Sequence, residues 1–204
     1  MTLSKKAEQT RQHILNTGFE LVLRKGFVGV GLQEILKTSG VPKGSFYHYF
    51  SSKEVFGCKL LQHYISNYGQ RLSMLWNQPE RSAREQLLSY FQAWIQDPEQ
   101  PDTGWAESCL IVKLAAEVSD LSEDMRQIMN QGVQVILARL SELLQRGVDE
   151  ASMQLCSNPA ATAQVLYQMW LGAALLSKLS QSKDPMHDAL RATEFMLEIG
   201  RAHV

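Results

Sequence analysis

At 204 residues, 45% apolar and 20% charged, with 13 Gly and 6 Pro, the composition is globular and excludes collagen, low-complexity disorder and coiled-coil rods. The net charge of −1 hides an asymmetry: residues 1–60 carry 9 Lys/Arg against 4 Asp/Glu, and residues 61–204 carry 11 against 17. A small basic end on a larger acidic body suggests a polyanion-binding head and a body with another task.

The opening MTLSKKAEQTRQ lacks the apolar run of a secretory leader. The longest unbroken apolar stretch, Met169 to Leu176, is 8 residues, well short of the ~20 that a bilayer span needs, so a cytoplasmic setting with no membrane partner is expected. Cys58, Cys109 and Cys156 are far apart and show no CxxC spacing, which argues against a disulfide framework and against zinc. No cofactor motif is present. His13, His63, His187 and His203 have no metal-ligand spacing and receive no role.

Helix punctuation is dense and strand patterning nearly absent. Ile14, Leu15, Gly18, Phe19 and Val22 recur at helical spacing, in a helix closed by Arg24-Lys25-Gly26, with cations at the negative dipole end and a glycine able to cap it. Lys5-Lys6 before it read as a solvated tail. A short helix containing Leu32, Ile35 and Leu36 follows, then a turn over Thr38–Val41, then a second short helix with Pro42 at its first position. Ser51-Ser52-Lys53-Glu54 reads as a capping box built on Ser51 and Glu54, opening a long helix to about Trp76. Further starts are expected at Gln78-Pro79-Glu80, Ser122-Glu123-Asp124, Asn158-Pro159 and Asp184-Pro185, with final helices over 159–181 and 185–200. Asp97 to Gly104 is the clearest loop. The expected fold is all-α with about nine helices, divided into a head, 1–54, and a body, 55–204.

Two short helices joined by a Gly-containing turn in the basic end are the sequence form of a helix-turn-helix. On the second helix, a step of about 100° per residue groups Phe46, Tyr49 and Phe50 for packing. It places Gly44, Tyr47 and His48 opposite, with Lys43 at their edge. That face offers close backbone approach at Gly44, donors at Tyr47 and His48, and cations at Lys43 and Lys53, which suits DNA. The plain alternative is a solvated face.

The uninterrupted run Gly31 to Glu54, GLQEILKTSGVPKGSFYHYFSSKE, resembles the DNA-binding signature of TetR-family transcriptional regulators. The resemblance implies an all-α homodimer with a three-helix reading head and a helical ligand-binding and dimerisation body. It implies operator contacts from Lys43, Gly44, Ser45, Tyr47 and His48. Gln33 would stand at the start of the motif's first helix, and Lys53 would hold backbone phosphate. The runs Ser108 to Arg126 and Val165 to Lys178 are similar to the NemR branch of that family, repressors that respond to reactive electrophiles. In that branch the position of Cys109 carries the sensing thiol, and the position of Lys178 also carries lysine.

These residues have a logic of their own. Cys109 begins an apolar helix, with Trp105 one turn before it and Lys113 one turn after; a helix N-terminus and an i+4 cation both favour thiolate, the nucleophilic form. Lys178 ends a nearly apolar stretch, where a buried ammonium needs a partner, and a thiolate–ammonium pair with Cys109 would supply one. The commoner fates are a small core thiol for Cys109 and a cation at a helix C-terminus for Lys178. Cys58 and Cys156 read as bystanders. Trp76, Trp94, Tyr90, Trp105, Tyr167 and Trp170 read first as core, with Trp105, Tyr167 and Trp170 the candidates for lining an inducer pocket. Gly172-Ala173-Ala174 permits the close helix approach of a dimeric four-helix bundle. An enzyme with a cysteine nucleophile is disfavoured, because no histidine stands in a recognisable motif with the body's cysteine and no Gly-rich phosphate loop occurs. The expected function is a dimeric repressor released through Cys109 by an electrophile or oxidant. The alternative is a non-covalent apolar or unsaturated inducer, with Cys109 only lining its pocket.

Overall fold

The computed structural model describes residues 5–198. His203 and the expected last two residues of the final helix lie outside them. The described residues form nine helices and no strand: α1 (Lys5–Lys25), α2 (Leu32–Ser39), α3 (Lys43–Tyr49), α4 (Lys53–Trp76), α5 (Ala83–Ile95), α6 (Leu110–Leu121), α7 (Glu123–Asp149), α8 (Pro159–Ser180) and α9 (Asp184–Met196). Two compact units result. One holds the residues up to Tyr68 together with Lys113–Gly132; the other holds Gly69–Val112 and the residues from Val133 onward. The first unit therefore recruits most of α6 and the start of α7 from far downstream. Among the described residues, no helix is long and apolar enough to cross a membrane, and no group of three or more His, Cys, Asp or Glu could hold a metal ion.

The helix ends follow side-chain chemistry, with four departures from the sequence pattern. Asn158 caps α8 by accepting from the Ala161 amide at 2.8 Å, with Pro159 in the first turn; Ser122 caps α7 through the Met125 amide at 3.3 Å. Gly26 closes α1 at φ +78°. The α4 cap, however, is Ser52, which accepts from the Val55 amide at 3.0 Å. Glu54 turns away from that cap to accept from the Ser122 hydroxyl, so no box forms on Ser51. Gln78-Pro79-Glu80 forms a turn, and α5 starts instead behind Ser82, whose reciprocal capping box with Glu85 satisfies two orphan amides. Pro42 is the N-cap of α3 rather than its first helical residue. Lys5 and Lys6 belong to the first turn of α1, exposed but helical, rather than to a tail.

Core side chains of the first unit are Ile14, Leu15, Val22, Ile35, Phe46, Phe50 and Phe56, all fully buried. Gly18 in α1 faces Phe56 so closely that an added Cβ would stand 2.3 Å from the far carbon of that ring. Gly18→Ala should therefore destabilise the protein by about 1–3 kcal/mol, because overpacking a rigid ring outweighs the ~1 kcal/mol gained in helix propensity. A thermal melt of the variant that rises above that of the parent would refute this.

Candidate DNA-reading head and buried thiol

The head is built on α1, against which α2 and α3 pack. Gly40, at φ +65°, makes the turn between α2 and α3 and donates its amide to Leu36. A left-handed residue is required there, and glycine adopts it without steric cost. Phe46 and Phe50 lie buried on the inner side of α3, in contact with each other and with Phe56 at ring separations of 5.1–5.5 Å. The outer side exposes Lys43, Gly44, Tyr47 and His48, with Ser45 half-buried and Gly44 facing open space. Tyr47 is 45% exposed and its ring stands at a right angle to that of Phe46, 5.7 Å away. Gln33 is exposed in the first turn of α2. Lys53 differs from the rest: its ammonium donates to the Phe27 carbonyl at 2.9 Å and lies 4.7 Å from the Phe27 ring centre. Burial pushes its pKa down, with Glu117 pulling the other way.

The thiol belongs to the second unit. Cys109 immediately precedes α6, is 3% exposed, and donates its amide to the Ala106 carbonyl at 3.3 Å. Burial pushes the Tyr167 hydroxyl far above the usual phenol range, and Tyr90 and Cys109 add to the effect. Trp105, Tyr167 and Trp170 are buried in the core of this unit. Phe91 stacks on Trp170 at 4.6 Å, Trp94 meets both Trp170 and Tyr167 edge-on, and Trp170 donates to the Thr193 hydroxyl at 2.9 Å. The Arg71 guanidinium lies 4.4 Å from the Trp105 ring centre and pairs with buried Asp97 at 2.6 Å.

Neither lysine proposed beside Cys109 is held there by a described bond. Lys113 donates to the Arg24 carbonyl at 3.3 Å, so its cation serves the C-terminus of α1. Lys178 is exposed in the last turn of α8, where a charged head stays in water at no desolvation cost. The other cysteines differ in setting: Cys156 is exposed, while burial, Asp124 and Glu54 push the half-buried Cys58 thiol upward.

Comparison with known proteins settles the lineage of this architecture. The model of bacterial regulatory proteins of the tetR family matches residues 14–56, and the tetracyclin repressor-like C-terminal domain matches residues 83–193. The chain belongs to the TetR family. It is 47% identical over 181 residues to the HTH-type transcriptional repressor NemR of Escherichia coli K12, covering 89% of this chain and 90% of that one. A similar share aligns with the repressor DhaR of Mycobacterium sp. GP1, at 28% identity over 88% of each chain. Among solved structures, reduced E. coli NemR superposes with a TM-score of 0.84 at 45% identity, covering 92% of this chain and 97% of that chain. A transcriptional regulator of the TetR/AcrR family gives the same TM-score at 60% identity, covering 93% and 99%. The chain is thus a NemR-like helix-turn-helix repressor, and its relatives are regulators rather than enzymes.

Seen as a TetR head, the first unit contains functional candidates that sequence patterning does not reveal. Glu117 in α6 accepts from the Phe27 amide at 3.2 Å and from the Val28 amide, closing the corner between α1 and α2. Its partners lie ninety residues upstream, and neither carries a polar side chain to mark the bond. His63 in α4 stands among Gln12, Asn16 and Asn67; burial and Arg11 push its pKa down. His13 contacts the Ser39 carbonyl at 3.0 Å, a local tie between α1 and the end of α2.

Proposed function

We propose that this repressor binds a pseudo-palindromic operator as a homodimer through α3, and that reaction of Cys109 with an electrophile or oxidant releases it. The single observation that carries the DNA reading is the two-sidedness of α3: its phenylalanines are fully buried while Lys43, Gly44, Tyr47 and His48 face outward. Ser45 and Gln33 flank that face. Lys53 would join the phosphate contacts by leaving the Phe27 carbonyl. Dimerisation is supported by α8, where Val165, Leu175, Leu176 and Leu179 are exposed beside Gly172, and by exposed Phe195 on α9. An apolar stripe of this kind is costly to leave in water. Two recognition helices about 34–36 Å apart would then span one turn of DNA.

In the sensing step the Cys109 sulfur forms a bond to the electrophilic carbon, the electron pair of the bond broken at that carbon moves onto the rest of the electrophile, and the thiol proton follows it there or passes to solvent. A differential affinity of only 1–3 kcal/mol between two conformations changes DNA binding about 5- to 150-fold. The burial of Cys109 favours a second reading, a small non-covalent inducer in the body with the thiol only nearby. Site-mapped mass spectrometry on operator-released protein separates the two. Release accompanied by an adduct or oxidised sulfur on Cys109 supports the covalent reading; release with Cys109 unmodified overturns it in favour of the second.

A further inference from the structure

A cavity of about 410 Å³ opens between the end of α8, the start of α9 and the turn that leads to Cys109. Its charged wall residues are Lys178, Lys183 and Glu107. Lys183 lies 3.7 Å from Glu107 and donates to the Ile95 carbonyl at 2.8 Å, so one ammonium is largely offset. The Lys178 carbonyl accepts from the Gln181 side-chain amide at 2.7 Å, but its ammonium has no hydrogen bond or ion pair among the described residues, which leaves the cavity one positive charge in excess. Ser177, also in the wall, is 8% exposed, and its hydroxyl is buried without a hydrogen-bond partner. Native proteins rarely leave such a group unsatisfied, because a desolvated hydroxyl with no partner is costly. The remaining wall includes the apolar side chains of Ala106, Ala174 and Met186.

We infer that this cavity binds a small organic monocarboxylate. Its carboxylate would take the Lys178 ammonium and the Ser177 hydroxyl, and a short hydrocarbon chain would lie on the alanine and methionine surface. The excess of a single cation selects a monoanion over a phosphate dianion, and the volume falls at the small end of ligand pockets. Binding needs no covalent chemistry and is separate from the reactivity of Cys109, although Ala106 joins the two by accepting the Cys109 amide.

The test is calorimetric titration of the full chain, kept reduced, with sodium butyrate, its neutral counterpart butyramide, and inorganic phosphate. Butyrate should bind at least ~10-fold more tightly than either control, since charge-assisted hydrogen bonds are about twice as strong as neutral ones. Lys178→Gln should cost about 10-fold and Ser177→Ala about 5-fold in butyrate affinity, with thermal melts showing both variants folded. No butyrate heat at about 10 mM would overturn the assignment. Equal binding of butyramide would also overturn it, as would phosphate binding as tight as butyrate or unchanged affinity in the Lys178→Gln variant.

Discussion

Tyr47→Ala is expected to abolish specific operator binding while leaving the protein folded. The phenol contributes a donor to phosphate or a base edge, worth about 1–2 kcal/mol per recognition helix. Two helices in a dimer lose about 2–4 kcal/mol, or roughly 30- to 1,000-fold in affinity. The side chain is half exposed and meets the Phe46 ring at a right angle, so the change in stability should stay within about 1 kcal/mol. Fluorescence anisotropy with an operator fragment, beside a thermal melt, measures both quantities. Undiminished binding would exclude α3 as the reading element.

Cys109→Ser should bind the operator like the parent and ignore electrophiles. Burial gives this experiment an internal clock. A maleimide must await local opening before it reaches Cys109, whereas Cys156 is open to solvent. An opening cost of about 2–4 kcal/mol would slow the buried thiol roughly 30- to 1,000-fold relative to an exposed one. The first equivalent of label should therefore land on Cys156 without releasing DNA, and release should track the later modification of Cys109. A Cys109→Ser protein that still leaves its operator on treatment would place sensing elsewhere.

What the sequence discloses here is whatever depends on near neighbours. The two-sidedness of α3 follows from the spacing of Phe46, Tyr47, His48 and Phe50, and the caps at Asn158 and Ser122 follow from local polar residues. Local rules failed where two candidates competed within a few positions, as between Ser51 and Ser52 or between Gln78 and Ser82, since only the folded chain decides which oxygen meets an amide. They failed more widely at the thiol. An i+4 spacing places Lys113 one turn from Cys109 along a helix, but its ammonium donates instead to the Arg24 carbonyl at the end of α1. Likewise Trp105, Tyr167 and Trp170 are buried against the rings of Tyr90, Phe91 and Trp94, contacts between separate stretches of the chain that no local pattern announces. The cavity at the end of α8 and the start of α9 lies where no hydrophobic pattern marks it.

The corner that Glu117 closes has a practical side for anyone recombining regulators of this kind. Phe27 and Val28 obtain their amide acceptors from α6, and Gly57 of α4 lies against both Phe27 and Met125 of α7. A polypeptide cut after its first four helices would forfeit those acceptors and bare that side of the glycine. Grafting this reader onto a foreign sensor thus means transplanting a discontinuous module, with the stretch around Glu117 and Met125 carried along.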